Sequence, residues 1–212
     1  MSSQEIAQIL LEKGAVKVSF DNPFRWASGI VSPLYCDNRL MISYPKERKQ
    51  IVQAFVAQIE KMGQDFDVLA GTASAGIPWA AFVAYELNKP MIYIRKEAKE
   101  YGAKKRTEGV LKAGDKVLLI EDLVSTGGSS ISAAEALQEE GANVIAVLAI
   151  VSWEMIMSQT RFEEAGLRLS VLTSYNDIIS TALKRGDITE EQYHKIIEFK
   201  QDPAGWAESA GL

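Results

Sequence analysis

Residues 117–130, VLLIEDLVSTGGSS, place two carboxylates and a loop of small residues directly after an apolar run. The run, Val117 to Ile120, has the length and composition of a strand buried on both faces of a parallel sheet. Glu121 and Asp122 follow it, and the small residues then open a helical pattern. Backbone amides and the positive end of a helix dipole converge in such a loop, which predicts a phosphate site. The carboxylates can hold sugar hydroxyls or Mg²⁺, so the whole segment is typical of a ribose phosphate site.

A tight strand-to-helix turn flanked by two solvated acidic side chains is the alternative interpretation. The Gly/Ser loop alone is equally compatible with it, because short motifs of this kind recur by chance. The acidic pair at the end of the strand favours the functional interpretation. The loop is not a GxxxxGK[ST] nucleotide loop, since no Lys follows the glycines, and it lacks the GxGxxG spacing.

The segment IEDLVSTGGS resembles the phosphoribosyl-diphosphate (PRPP) signature of the type I phosphoribosyltransferases. The resemblance implies that the two carboxylates hold the ribose hydroxyls and that the amides of residues 125–129 hold the 5′-phosphate. It implies a Mg²⁺ cofactor held mainly by PRPP, with the carboxylates nearby, and it places Asp122 among the catalytic residues. The PRPP-binding residues implied here are Glu121, Asp122, Leu123, Val124, Ser125, Thr126, Gly127, Gly128 and Ser129.

A second unusual stretch, FRWASGIVSPLYCDNRL, covers residues 24–40. Strand-like pieces, Phe24 to Ala27 and Leu34 to Cys36, are separated by Ser-Gly and Ser-Pro pairs, which predicts a hairpin or bent loop. Its aromatic and polar side chains also suit a flat ring ligand, but from the residues alone a surface hairpin is the better interpretation. The pattern SGxxSPxYxDNR is similar to the orotate-binding segment of orotate phosphoribosyltransferases. The orotate-binding residues that this implies are Arg25, Ala27, Tyr35, Cys36 and Ser125.

The segment GTASAGIP, residues 71–78, is another glycine-containing loop after a short apolar strand, DVLA. A simple turn is one interpretation. Resemblance to the same family implies instead a pyrophosphate loop in which Thr72, Ala73 and Ser74 contact PRPP, with a cis peptide bond between Ala73 and Ser74. Many relatives carry Lys where this chain has Ala75, so one cation for the pyrophosphate is missing or comes from elsewhere.

Residues 95–106 hold six Lys and Arg and two Glu, a net charge of +4, in a chain whose net charge is −5. Charge runs are usually solvated faces, but two neighbouring phosphate sites favour a loop that orders over an anionic ligand. RKEAKEYG resembles the catalytic loop of orotate phosphoribosyltransferases, which closes over the neighbouring subunit's site and therefore implies a homodimer. The implied catalytic residues are Arg95, Lys96 and Lys99, which also bind the pyrophosphate, and Tyr101, where many members have His.

Composition limits the remaining possibilities. The chain has 212 residues with 47% hydrophobic content, enough for a sizeable core. A net charge of −5 disfavours a nucleic-acid surface, and one cysteine, Cys36, excludes an intramolecular disulfide. The absence of a long apolar run predicts a soluble protein with no membrane partner, which we expect in the cytoplasm. We expect a single phosphoribosyltransferase domain, 1–212, with a small N-terminal hood over about 1–44 and a core over about 45–212.

Strands alternate with helices from residue 46 onward, which predicts an α/β fold with a central parallel sheet flanked by helices. The loops at 71–76, 95–109 and 121–129 all leave carboxyl ends of predicted strands, so they can share one cleft. The resemblance implies the type I phosphoribosyltransferase fold. It also implies Mg²⁺-dependent transfer of the 5-phosphoribosyl group from PRPP to orotate in pyrimidine biosynthesis.

Some questions stay open at this point. Many relatives grip the orotate carboxylate with an Arg near Ser152–Glu154, which is absent here, so Arg25, Arg39 or backbone amides are candidates. A phosphoribosyltransferase for another base, a PRPP-sensing regulator and an inactive nucleotide-binding scaffold are the alternative functions. His194, the one histidine, lies on a predicted amphipathic helix and is expected to be exposed or merely packed.

Overall fold

A computed structural model describes residues 1–25, 29–98, 105–203 and 205–206. Its helices and strands mostly alternate along the chain from residue 45 onward. In order they are α1 (Ser3–Glu12), β1 (Val16–Val18), β2 (Phe24–Arg25), β3 (Val31–Ser32), β4 (Leu34–Cys36), a 3₁₀ helix (Asn38–Ser43), α2 (Pro45–Met62), β5 (Val68–Thr72), α3 (Gly76–Leu87), β6 (Met91–Ile94), β7 (Thr107–Glu108), β8 (Lys116–Val124), α4 (Gly128–Glu139), β9 (Asn143–Ser152), α5 (Ile156–Glu164), β10 (Leu169–Ser174), α6 (Tyr175–Arg185) and α7 (Glu190–Gln201).

The central sheet has the strand order β10-β9-β8-β5-β6-β7 within the described ranges. Five of its strands pair in parallel, which confirms the predicted α/β fold. The edge strand β7 pairs antiparallel with β6 through Tyr93–Glu108 and Ile94–Thr107. A two-residue strand carries too little alternation to be recognised in a sequence, so the sequence predicts a loop over 95–109 and misses β7.

Both faces of the sheet are covered, and β8 shows how. Leu118 and Ile120 point into an apolar cluster that also contains residues of α1, α2, α3, α6 and α7. Val117 and Leu119 point to the other face, into a cluster with residues of α4 and α5. Successive residues of a strand alternate between faces, so a continuous apolar run is what a doubly covered strand requires.

Two elements differ from the sequence expectation. β8 does not end at Ile120 but continues to Val124, which pairs with Ser152 of β9. Glu121 and Asp122 therefore lie within the hydrogen-bonded C-terminal part of β8 rather than in a loop after it. Helix α5 was not predicted, because Ser158 and Phe162 are its buried residues and so few positions give a weak apolar stripe.

The N-terminal segment forms two small antiparallel pairs. β2 pairs with β3 (Phe24–Ser32 and Arg25–Val31), so a short hairpin is present, but its second strand is Val31–Ser32 and not the predicted Leu34–Cys36. Leu34–Cys36 forms β4, which pairs instead with β1 (Val16–Cys36). Leu34 and Val16 are buried in the same apolar cluster as α1 and the core helices, so this segment packs continuously with the sheet layers.

The helix ends follow local sequence signals. Pro45 occupies the first turn of α2, and Gly63 ends that helix in a left-handed conformation. The capping box predicted at Thr189 and Gln192 is present at the start of α7, where His194 is exposed. None of the helices within the described ranges has both the length and the apolar character needed to cross a membrane.

Candidate active site

A cleft of about 290 Å³ opens at the carboxyl ends of β5, β6 and β8. Three loops that follow these strands and the segment after β4 meet around it. Its lining residues are Cys36, Asp37, Arg39, Thr72, Ala73, Ser74, Ala75, Lys96, Glu121, Asp122, Leu123 and Ser129. Two adjoining cavities, of about 460 and 180 Å³, extend it along the loops and add Arg95, Glu97, Arg106 and Ser132 to the lining. The carboxyl edge of a parallel sheet is where such folds bind ligands.

The loop after β5 is held against β8 by close backbone packing. A Cβ built on Gly76 would lie 2.5 Å from the carbonyl oxygen of Ile120, so only glycine fits there. The Ala73 amide donates to the carbonyl of Ile94 at 2.9 Å, which ties the same loop to β6. The peptide bond between Ala73 and Ser74 is cis, as predicted. The loop backbone is thus fixed beside the acidic pair.

Glu121 and Asp122 differ sharply in exposure. Glu121 is 4% exposed, and its carboxyl accepts hydrogen bonds from the Ser130 hydroxyl and from the Asp122 amide, each at 3.2 Å. Burial, followed by the negative charge of Asp122, raises the pKa of Glu121 to about 8. Burial also raises the pKa of Asp122, but that side chain is partly accessible and faces the cleft. Burial and mutual repulsion thus disfavour the simultaneous ionisation of the two carboxyls.

The segment after β4 closes one side of the cleft. Asn38 is fully buried and its Nδ2 donates to the carbonyl of Asp122 at 2.8 Å. Arg39 forms a two-point pair with Asp37, with Nε–Oδ1 at 2.6 Å and Nη2–Oδ2 at 2.9 Å, and these hydrogen bonds lower the pKa of Asp37. Burial and the charges of Asp122 and Asp37 raise the pKa of the Cys36 thiol, which therefore stays protonated.

The loop between β8 and α4 lies against α5. Gly127 has φ +80°, and a Cβ on it would lie 3.1 Å from the Phe162 ring and 3.2 Å from the Ser158 hydroxyl. Arg161 donates from Nη1 to the carbonyl of Thr126 at 3.1 Å. Sequence reasoning missed these three α5 residues, because α5 itself carries little pattern and its contacts to the loop are long-range.

The basic segment is anchored at both ends. The Arg95 amide donates to the Arg106 carbonyl at 2.9 Å, and Arg106 Nε donates back to the Arg95 carbonyl at 2.8 Å. Nη1 of Arg106 also donates to the carbonyl and hydroxyl oxygens of Ser132 in α4, both at 2.9 Å. The two ends of the segment are thus closed on each other and fixed to the helix that follows the phosphate loop.

Comparison with known proteins decides the family. Residues 41–162 match the phosphoribosyl transferase domain family. The chain is 43% identical over 202 residues to the orotate phosphoribosyltransferase of Coxiella burnetii, covering 95% of this chain and 97% of that protein. It is 44% identical over 203 residues to that of Listeria monocytogenes serotype 4b, covering 96% and 97%. The chain belongs to the orotate phosphoribosyltransferase family of pyrimidine biosynthesis.

Solved structures agree with this family. Orotate phosphoribosyltransferase from Aeropyrum pernix superposes with a TM-score of 0.74 at 27% identity, covering 87% of this chain and 99% of that one. UMP synthase of Leishmania donovani superposes with a TM-score of 0.81 at 27% identity, covering 95% of this chain and 42% of that one. The fold is therefore that of the phosphoribosyltransferases, a mostly parallel sheet of six strands between helices.

The sequence predicted site residues in four segments: the loop after β5, the basic segment, the acidic pair with the loop after it, and the N-terminal stretch 24–40. Each of these segments contributes described residues to the lining of the cleft. Thr72, Ala73 and Ser74 of the loop after β5, Lys96, Ser129 and the acidic pair line the same cleft. Among the residues predicted to bind orotate, Cys36 lines the cleft. Val124, the last residue of β8, and residues 125–128 after it are not among the residues that line this cleft.

Three other orotate candidates, Tyr35, Arg25 and Ser125, are not among the lining residues of these three cavities. Tyr35 stacks on Phe24 with ring centroids 5.4 Å apart, and the exposed Arg25 donates from Nη1 to the carbonyl of Gly29 at 3.1 Å. Ser125 lies at the start of the phosphate loop. Ala27, Lys99 and Tyr101, which the sequence also predicted as site residues, lie outside the described residues.

Proposed function

We propose that this chain transfers the 5-phosphoribosyl group of PRPP to orotate, giving orotidine 5′-monophosphate and pyrophosphate. The observation that carries the proposal is the cleft itself. One space of about 290 Å³ is lined by the acidic pair, the loop with the cis peptide bond, Lys96 and the segment that follows β4. Each of these four parts matches a separate motif of the family.

The parts of PRPP are assigned by charge and chemistry. Asp122 and Glu121 hold the ribose hydroxyls, since both carboxyls line the cleft and carboxyl oxygens accept hydrogen bonds from hydroxyls. The amides at the start of α4 hold the 5′-phosphate, because the first N–H groups of a helix have no carbonyl partner within it. Residues 72–74 and the cations Arg95, Lys96 and Lys99 hold the pyrophosphate.

The reaction breaks the bond between ribose C1 and the pyrophosphate oxygen and forms a bond from C1 to a ring nitrogen of orotate. The electron pair of the broken bond leaves with the pyrophosphate, so negative charge builds there in the transition state. Arg95 and Lys96 line the cavity next to residues 73 and 74, where they can stabilise that charge. Orotate ionises readily at its ring nitrogen, so the chain needs no strong general base.

The donor set fits Mg²⁺ carried mainly by PRPP. Among the described residues, no group of three or more His, Cys, Asp or Glu side chains converges to form a metal site by itself. Two adjacent carboxyls beside a diphosphate are the kind of set that Mg²⁺ accepts, because it keeps several waters and binds few protein ligands. When bound, Mg²⁺ neutralises charge on the diphosphate oxygens.

The orotate carboxylate needs a donor that the missing family Arg does not supply. Arg39 lines the cleft and Arg25 does not line it, so the geometry favours Arg39. The Arg39 guanidinium carries donors beyond the two that contact Asp37, so it can bind a second carboxylate. The loop after β5 has Ala75 where many relatives carry Lys, so in this proposal the pyrophosphate depends on Arg95, Lys96 and Lys99 for its cations.

Three further parts of the proposal concern organisation. Residues 1–212 form one domain in which about 1–44 serve as a hood over a core of about 45–212. The protein is a homodimer in which the 95–109 segment, including Lys99 and Tyr101, acts at the neighbouring subunit's site. The enzyme works in the cytoplasm, which cell fractionation would test.

The deciding experiment follows orotate consumption by ultraviolet absorbance with PRPP and Mg²⁺, repeated with uracil, adenine and hypoxanthine. Loss of orotate alone, dependent on Mg²⁺, is the expected result. Turnover of another base would overturn the orotate assignment and leave the PRPP site. Binding of PRPP without turnover of any base would place the protein with regulators or inactive scaffolds instead.

A further inference from the structure

The loop expected to hold the 5′-phosphate has no charged side chain of its own. Residues 123–130, LVSTGGSS, are all uncharged. A phosphate monoester carries between one and two negative charges near neutral pH, and the start of a helix offsets roughly half of one. The direction in which each amide of this loop points therefore matters more than it would beside a cation.

Helix α5 fixes one side of that loop. The missing Cβ of Gly127 leaves just enough room for the Ser158 hydroxyl and the Phe162 ring, at 3.2 and 3.1 Å from where it would lie. Ser158 is 1% exposed, and its hydroxyl has no hydrogen-bond partner among the described residues. Burying a hydroxyl without a hydrogen-bond partner costs free energy, and the close packing of α5 on the loop must offset that cost.

Arg161 lies three residues after Ser158, on the same side of α5. Its Nη1 donates to the carbonyl of Thr126 at 3.1 Å, and it lies 3.8 Å from where a Cβ on Gly128 would be. The peptide unit between Thr126 and Gly127 is planar and trans, so its carbonyl and its N–H point in opposite directions. A carbonyl held toward α5 directs the Gly127 N–H away from α5.

We propose that Arg161 is a positioning residue for the 5′-phosphate: by holding the Thr126 carbonyl, it orients the Gly127 amide toward the phosphate of PRPP. The inference rests on the proposed function, since it concerns the same phosphate site. It assigns a specific task to a helix that none of the site motifs includes. A guanidinium suits this task, because a charged donor binds a carbonyl more strongly than a neutral donor does.

A different role for Arg161 predicts different behaviour. Arg161 lies in the last turn of α5, where a cation stabilises the helix C-terminus. If that were its whole role, its loss would lower thermal stability and would not distinguish between ligands. If Arg161 positions the loop, its loss weakens the binding of ligands that carry the 5′-phosphate and leaves the affinity for pyrophosphate unchanged.

The test compares Arg161→Met, Arg161→Lys and the control Arg168→Met by calorimetric binding of ribose 5-phosphate and, separately, of pyrophosphate. Arg168 is an exposed Arg beyond the end of α5, so its loss removes the same charge. In Arg161→Met we expect ribose 5-phosphate to bind about fivefold more weakly and pyrophosphate to bind as in wild type. Arg161→Lys, which keeps a charged donor, should bind ribose 5-phosphate within about twofold of wild type.

Several results would overturn the inference. They are ribose 5-phosphate affinity unchanged in Arg161→Met, equal weakening of both ligands, equal weakening in Arg168→Met, and no binding of ribose 5-phosphate by wild type. If Arg161→Met does not fold, Arg161→Gln decides: weaker binding of ribose 5-phosphate alone is expected in that variant, and unchanged ribose 5-phosphate affinity contradicts the inference. These binding measurements need no turnover, so a failure of the orotate assignment would be seen separately in the absorbance assay.

Discussion

The side-chain amide of Asn38 donates a hydrogen bond to the backbone carbonyl of Asp122, with 2.8 Å between Nδ2 and the oxygen. Asn38 is fully buried, and its own carbonyl oxygen accepts a hydrogen bond from the Cys36 thiol at 3.4 Å. This contact joins the N-terminal segment directly to the strand end that carries the acidic pair. The position of the acidic pair therefore depends on a residue 84 positions earlier in the chain.

Replacing Asn38 by Ala removes that donor and leaves the Asp122 carbonyl buried without it. We expect Asn38→Ala to lower the free energy of unfolding by about 1–3 kcal/mol and to raise the KM for PRPP, because the backbone of Asp122 is no longer held. Urea unfolding and steady-state kinetics measure the two effects. Asn22→Ala, at an exposed position of the same segment, is the matched control. Equal stability of the two variants would contradict the prediction.

The glycine at the start of α3 gives a second prediction. A Cβ on Gly76 would lie 2.5 Å from the Ile120 carbonyl oxygen, so Gly76→Ala must push the loop between β5 and α3 away from β8. We expect a loss of about 3 kcal/mol in the free energy of unfolding and little remaining turnover. Thermal unfolding and the orotate assay test both.

Gly128→Ala is the control for fold stability, since its Cβ would have 3.8 Å to the nearest atom and neither glycine has positive φ. That variant should unfold within about 1 kcal/mol of wild type. A Gly76→Ala protein with wild-type stability would show that the loop can move without cost, against the close packing argued above.

Local patterns predicted the main strands and the cleft, but not the contacts that shape it. The run Val117 to Ile120 predicted β8 because a doubly buried strand must be apolar throughout. Its continuation to Val124 depends on hydrogen bonds to β9, which no local pattern records. Helix α5 and the two-residue strand β7 carry too few buried positions to show a period.

In the candidate site too, local motifs could be recognised from the sequence and long-range contacts could not. The motifs predicted Thr72, Lys96 and Asp122 as site residues, because their chemistry can be recognised in short segments. The structure places all three in the lining of one cleft. Asn38 and Arg161 were not predicted as site residues, since each acts through a backbone carbonyl far away in sequence. Which carbonyl a buried amide or a surface Arg will meet is decided by tertiary packing alone.

The buried carboxyl of Glu121 predicts a pH-dependent stability. Burial, followed by the charge of Asp122, raises the pKa of Glu121 from its ordinary value of 4.5 to about 8. Between these values the folded chain keeps a proton that the unfolded chain has released, so this group makes the free energy of unfolding fall as pH rises toward 8. Glu121→Gln lacks the effect. Its stability relative to wild type should increase by about 3–4 kcal/mol between pH 5 and pH 8 and level off above about pH 9.

Urea unfolding of both proteins at several pH values, without PRPP or Mg²⁺, measures this difference. Glu135→Gln, at an exposed position of α4, is the control and should follow wild type at every pH. The same Glu121→Gln protein should turn over orotate more slowly, because the ribose site loses an ionisable carboxyl. A constant stability difference across the pH range would show that Glu121 has the same protonation in the folded and unfolded chains.

Mixed dimers test whether subunits share active sites. If the 95–109 segment acts at the neighbouring site, a dimer of Lys99→Ala with Asp122→Asn has one site with both residues intact. Each variant alone has none. In an equal mixture about half of the dimers are mixed, so we expect about one quarter of wild-type activity to return, after unfolding and refolding together to exchange subunits. If the segment acts within its own subunit, both sites of a mixed dimer are defective, and activity stays at the level of the separate variants.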